Sequence, residues 1–226
     1  MPKLILLRHL ESQWNKENRF TGWTDVPLSE EGIKSAKEVA GKLAGFEIDK
    51  VYTSPLIRNK ETVSLLLENL GKVKEDKSSS SATEPRPRKA GRGEGEKEVR
   101  LFDFANAWVK DVPIVIDKAL DERNYGKLQG LNKDEVKKQY GEEQVKLWRR
   151  SWDQAPPRGE SLKDVFDRAV PFYQKYIEKD LNEGKNVLVV ASHNSLRALV
   201  KYLENISDEE IINLEIPTGS LKEYNF

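Results

Sequence analysis

The chain contains no cysteine. That excludes disulfides, thiolate metal sites and thiol catalysis. Only two histidines are present, so with no cysteine beside them a structural zinc site is not expected, and no metal is. No charge of one sign dominates, since 38 Lys+Arg balance 38 Asp+Glu. No global field for nucleic acid or a membrane surface follows, and an anionic ligand has to be caught by local arginines. No apolar run is long enough to span a bilayer. Met1-Pro2-Lys3-Leu4 runs straight into a strand without a signal-peptide layout. The expectation is a soluble, cytoplasmic protein with a small-molecule partner and neither nucleic acid nor membrane. At 226 residues it can bury a substantial core.

What is present is a run of alternating strand and helix signals. Lys3–Leu7 reads as a strand, followed by a loop from Arg8 to about Leu28. Ser29 caps a helix whose first turn holds Glu30 and Glu31, where acids suit the helix dipole. Leu28 and Ile33 have hydrophobic-staple spacing. Ile33, Ala36, Val39, Ala40 and Leu43 line one face, and Gly45 ends the helix. Val51-Tyr52-Thr53 is a short strand, and a helix runs from Pro55 to about Leu70. Residues from about 71 to 99 carry four serines, Glu84-Pro85-Arg86-Pro87-Arg88 and scattered glycines among charges. This stretch lacks the apolar residues to offset its ordering entropy and reads as a disordered insertion in one domain spanning 1–226. Structure is expected to resume near Val99. Ile114-Val115-Ile116 is a third strand; Asp134–Tyr140, Glu142 to about Trp152, and Ser161 to about Leu181 are helices, the last kinked by Pro171. Val187–Ala191 is a fourth strand and Leu196–Glu204 a helix, with Ser207 and Glu210 at capping-box spacing after it. The alternation predicts a three-layer α/β/α sandwich around a mostly parallel sheet.

Both histidines sit just past an apolar strand: His9 after Leu4–Arg8, His193 after Val187–Ser192. Ligands of open α/β sheets bind beyond the carboxyl ends of the strands, so the two imidazoles should meet at one edge. A histidine there can be a nucleophile, a base, a ligand or a buried hydrogen-bonding residue. Arg8, Arg58 and Arg197 all lie where the chain leaves a strand or enters the next helix. Guanidinium groups grip phosphate bidentately, and their field disfavours imidazolium. A neutral imidazole among arginines is set to attack phosphorus, provided an acceptor fixes its other ring nitrogen. Glu122, shortly after the third strand, is a candidate proton donor for the leaving oxygen, its pKa raised by an incoming dianion; a surface ion pair with Arg123 is the alternative.

Longer motifs carry a resemblance. Arg8-His9-Leu10-Glu11-Ser12-Gln13-Trp14-Asn15 resembles the signature of the histidine phosphatase clan. Asn18–Trp23, Tyr52–Arg58, Glu122, Tyr125-Gly126 and Leu128–Lys133, Tyr140–Val145 and Trp148–Ser151, Asn194–Arg197 and Pro217-Thr218-Gly219 are similar, in order, to segments of the cofactor-dependent phosphoglycerate mutases of that clan. The resemblance implies a mutase-like fold, a nucleophile at His9 and an acid/base at Glu122. It implies phosphate contacts from Arg8, Arg58 and His193, supported by Ser12, Asn15, Thr21, Gly22 and Asn194. Tyr125, Lys133, Arg149 and Arg150 would hold the substrate's second anionic end. The implied reaction interconverts 3-phosphoglycerate and 2-phosphoglycerate in glycolysis and gluconeogenesis, without metal, after 2,3-bisphosphoglycerate primes His9. Alternatives are a phosphatase of the same superfamily and a catalytically weakened binding or regulatory homologue. An oligomer is possible.

Three departures from the family pattern stand out. Leu10 replaces a usual glycine, which could crowd the pocket or shift the backbone. The usual Ala-His-Gly-Asn-Ser is Ala191-Ser192-His193-Asn194-Ser195, so the second histidine comes one place late. One step along a strand reverses side-chain direction, so either a realigned His193 or the Ser192 hydroxyl fills that place. The segment between Trp152 and Glu160 is short, which would open the pocket or alter an oligomer contact.

Overall fold

The purely apolar run Val187–Ala191 becomes the central strand of a five-stranded sheet, with every residue buried. Burying each large aliphatic side chain contributes roughly 1.5–3 kcal/mol, so such a run belongs where both faces are covered. The computed structural model describes residues 1–71 and 112–226. From residue 72 on, the insertion expected at about 71–99, and the resumption near Val99, lie outside the described residues.

In chain order the elements are β1 (Lys3–Arg8), α1 (Gln13–Lys16), α2 (Glu30–Leu43), β2 (Lys50–Thr53), α3 (Ile57–Asn69) and β3 (Ile114–Ile116). Then follow α4 (Lys133–Tyr140), α5 (Glu142–Arg150), α6 (Leu162–Phe172), α7 (Glu178–Asn182), β4 (Val187–Ala191), α8 (His193–Leu203) and β5 (Leu221–Asn225). The strand order is β3-β2-β4-β1-β5, parallel except for β5. Side chains alternate across the sheet as a period of two requires. Ile5, Leu7, Val51, Leu188 and Val190 face α2 and α3, while Leu4, Leu6, Tyr52, Val187 and Val189 face α6 and α8. Two helical layers thus sandwich one mostly parallel sheet, as the sequence predicts.

Four local expectations change. The loop after β1 contains a helical turn, α1, capped reciprocally by Ser12 and Asn15. The expected helix 161–181 runs on past Pro171 but widens to π geometry at Tyr173–Ile177 before α7. The helix expected from Leu196 starts three residues earlier, at His193, because Ser192 already has extended N-cap dihedrals. A fifth strand, β5, pairs antiparallel with β1 at the sheet edge, tied by a 2.6 Å Lys3–Glu223 ion pair. Its Lys, Glu and Asn are poor strand formers but suit an edge that discourages further pairing.

Arg8 of β1 is the register partner of Ala191 of β4, and the His9 N–H extends the pairing to the Ala191 carbonyl at 3.1 Å. Both histidines therefore leave adjacent parallel strands at the same edge. Among the described residues, no helix is long and apolar enough to cross a membrane.

Candidate active site

The carboxyl edge of the sheet opens into a cleft that encloses about 510 Å³ of space, open solvent included. It is lined by Arg8, His9, Asn15, Arg58, Glu122 and His193 at one end, with Thr21 and Gly22 beside them. Tyr125, Lys133, Arg149 and Arg150 line it too, together with Arg19, Phe20 and Glu215, which the motif reading did not single out. Two expected residues do not reach the lining. Ser12 is fully buried and its hydroxyl is spent on Asn15 Oδ1 at 2.8 Å. Asn194 is fully buried behind Glu122 and Tyr125.

His9 is buried, and its Nδ1 lies 2.6 Å from the Leu10 carbonyl. A carbonyl only accepts, so Nδ1 carries the proton and Nε2 keeps its lone pair. Burial, then the positive charges of Arg58 and Arg8, hold the imidazole pKa well below 6.5. Leu10 does not crowd this end. Its side chain packs into the α2/α3 core, and its N–H donates to Thr62 Oγ1 at 3.1 Å.

The arginines around His9 are aimed by backbone carbonyls. Arg58 Nη2 donates to the Gly22 carbonyl at 2.8 Å and Nη1 to that of Thr24 at 3.1 Å. Gly22 sits at φ +57°, and an added Cβ would fall 2.2 Å from Gln129 Oε1, so this turn needs glycine. Arg8 Nη1 donates to the Ile216 carbonyl at 2.6 Å. Burial lowers the pKa of Arg58 to about 10, which still leaves it charged at neutral pH.

The structure places His193, not Ser192, in the lining. As the first residue of α8, His193 has left the strand's alternation, while the Ser192 hydroxyl takes Asn59 Nδ2 at 3.2 Å below the cleft floor. Burial drives the His193 pKa down to about 3, against the pull of Glu215. Glu122 is not a surface partner of Arg123. Its carboxylate takes the Arg123 N–H at 2.7 Å, Asn194 Nδ2 at 2.8 Å and the Asn194 N–H at 3.2 Å, near the start of α8. Burial alone would raise its pKa; the neighbouring His193, these donors and the Arg58 charge overcome it, so the pKa is lowered. The expectation of a raised value concerned a bound dianion; with protein groups alone Glu122 is ionised.

The opposite end is held from behind. The sequence groups Arg197 with the anion-binding arginines, but it does not line the cleft. Fully buried, it donates to the carbonyls of Arg150 at 2.8 Å and Ile211 at 2.6 Å, and to Asn194 Oδ1 at 3.0 Å. Arg123 donates to the Arg149 carbonyl at 2.9 Å and the Tyr125 hydroxyl at 3.1 Å. Two buried guanidiniums thus satisfy the last carbonyls of α5, the helix that carries Arg149 and Arg150. Burial, then Arg149, lowers the pKa of Lys133; burial likewise lowers that of Arg149.

Fold and cleft together define an α/β protein whose buried, neutral imidazole faces a pocket rich in fixed positive charge. The chain belongs to the histidine phosphatase superfamily (branch 1), whose family model matches residues 4–79 and 100–226. It is 44% identical over 230 residues to the 2,3-bisphosphoglycerate-dependent phosphoglycerate mutase of Methanococcus vannielii, covering 100% of this chain and 91% of the relative. A protein of the same name from Methanosarcina acetivorans is 44% identical over 228 residues, covering 100% and 92%. The solved structure of a mycobacterial glucosyl-3-phosphoglycerate phosphatase shares the fold, with a TM-score of 0.73 at 22% identity over 99% of this chain and 92% of that one.

Proposed function

We propose that this protein is an enzyme that interconverts 3-phosphoglycerate and 2-phosphoglycerate through a phosphohistidine on His9. The observation that carries the reading is the lone-pair Nε2 of a neutral imidazole set among Arg8 and Arg58, with a second basic cluster in the same cleft. A ligand anionic at both ends needs both clusters. Six cationic side chains against two carboxylates line the cleft among the described residues, a balance that also fits 2,3-bisphosphoglycerate. That molecule supplies the phosphoryl group that primes His9.

The geometry supports the following residue roles. His9 Nε2 attacks phosphorus; a P–N bond forms as the P–O bond to the sugar-acid oxygen breaks. Arg8, Arg58 and His193 stabilise the charge on the equatorial oxygens, and Asn15 offers the Nδ2 end of its amide, because its Oδ1 is held by Ser12. Thr21 and Gly22 wall the phosphate, while Ser12 and Asn194 position Asn15 and Glu122. Glu122, held ionised, is in the state needed to take the proton of the acceptor hydroxyl when phosphorylated His9 gives up its group. In the reverse sense the protonated carboxyl returns that proton to the leaving oxygen. Tyr125, Lys133 and Arg149 hold the other anionic end, with Arg150 beside them in the lining. The whole 1–226 span is read as one domain.

The test supplies 3-phosphoglycerate with catalytic 2,3-bisphosphoglycerate and follows 2-phosphoglycerate and free phosphate, with and without chelator. Isomerisation that survives chelator is expected, together with acid-labile phosphate on residue 9. Mainly free phosphate would replace this reading with a phosphatase. Binding without turnover would replace it with a binding protein.

A further inference from the structure

Of the two carboxylates lining the cleft, Glu215 is the one that the proposed chemistry does not use. Its position is fixed on several sides. Arg150 Nη2 donates to Oε1 at 2.7 Å and Nη1 donates to Oε2, a bidentate fork. The same carboxylate lies 3.3 Å from His193 Nε2. The neighbouring Ile216 carbonyl holds Arg8, and burying the Ile216 side chain pins the backbone there. Bidentate guanidinium–carboxylate pairing is the geometry with which Arg150 would otherwise grip a ligand's oxygens. Lys133 and Arg149, by contrast, form no ion pair with a carboxylate among the described residues, although the Glu215 charge also reaches Arg149.

Resting on the cleft's assignment as a phosphoglycerate site, we propose that Glu215 is a specificity-determining counter-anion. It engages Arg150 within the protein and so disfavours a second phosphate at that end. A singly charged carboxylate needs only Lys133 and Arg149. A second dianionic phosphate has to compete with Glu215 for Arg150 and tolerate its charge. The cleft therefore holds ligands with two phosphoryl groups loosely, relative to the same cleft without this carboxylate. The pair is half-exposed at Glu215, which keeps the penalty modest and sensitive to salt.

Glu215→Gln removes the charge and keeps the shape and an acceptor for Arg150. Binding of inorganic pyrophosphate, with two phosphoryl groups, and of inorganic phosphate, with one, is measured by calorimetry on wild type and variant at low and high salt. The expected result is pyrophosphate tightened about three- to tenfold and inorganic phosphate changed less than about twofold, with the gap narrowing at high salt. Glu215→Asp, which keeps the charge, should stay near wild type for both. Unchanged or weakened pyrophosphate binding in Glu215→Gln overturns the proposal, because Glu215 would then be holding Arg150 in its binding pose. The wild-type isomerase assay is scored separately. Its failure would sink the phosphoglycerate reading, while the pyrophosphate comparison would still decide the role of Glu215.

Discussion

The two ends of the cleft are built on opposite terms. At one end His9, Arg58, Glu122 and His193 are all buried; His9 follows the end of β1, Arg58 and His193 sit in the first turns of α3 and α8, and Glu122 stands in the loop after β3. At the other end Lys133, Arg149 and Arg150 are half-buried side chains on α4 and α5, an excursion between β3 and α6. The first end needs desolvation, because only a dry, positively charged setting keeps imidazole neutral and strengthens the arginines. The second end has to admit a ligand, so it keeps its cations near water and fixes the backbone behind them with Arg123 and Arg197. Changes at the dry end should therefore strike kcat, and changes at the wet end KM.

The largest effect is expected for His9→Ala. Loss of the proposed nucleophile should reduce kcat by about 10⁴-fold or more with the fold intact, checked by stopped isomerisation assays and circular dichroism. A variant that still isomerises would dissolve the contrast at its root. Glu122→Gln comes next, with kcat down about 10²- to 10⁴-fold and KM little changed. Glutamine keeps the bonds from Asn194 and Arg123 but cannot take a proton, so the loss isolates proton transfer from positioning.

The dry end was also the more legible from sequence. Apolar runs marked β1 and β4, and the edge rule brought His9 and His193 together without any knowledge of the register. Glu122, Arg8 and Arg58 came from short-range context and motif order. What could not be read had no local signal. Gln13–Lys16 is a single turn, too short for a helical period, and Leu221–Asn225 has one strand former, Tyr224, among Lys, Glu and Asn, as suits an edge strand paired with β1. Arg197 has the same charge as Arg58 and a comparable position, yet it caps carbonyls of α5 and Ile211; only the packing of those segments distinguishes the two. Glu215 reaches the cleft through the last crossover before β5, and nothing in its neighbours announces it. The choice between Ser192 and His193 turned on where α8 starts. A serine at a strand end is also an N-cap signal, and that reading would have placed His193 on a helix rather than on a strand.

Desolvation at the dry end has a cost that stability measurements can read. Both imidazoles are neutral when folded and take up a proton on unfolding below pH 6.5. The unfolded chain therefore binds more protons, and stability rises with pH. It is fully present above about pH 6.5 and is lost as pH falls from there toward the folded value, about 3 for His193. Two such protons amount to about 2–3 kcal/mol per pH unit. Denaturant unfolding at stepped pH should show that slope, and a His9→Asn, His193→Asn double variant should flatten it. An unchanged slope would mean that the acid sensitivity comes from carboxylates instead.

The smallest effect is expected for Arg149→Ala, and it tests the wet end alone. The Arg149 guanidinium lines the cleft, while its carbonyl takes Arg123. Alanine removes the first feature and leaves the second, so α5 keeps its capped end. A contact made equally in ground and transition states changes KM without changing kcat. KM should rise about tenfold and kcat stay within about threefold. A fall in kcat approaching that of Glu122→Gln would mean that the clamp orients the phosphoryl group as well as retaining the ligand. The two ends would then act as one unit, and the division between dry chemistry and wet capture would fail.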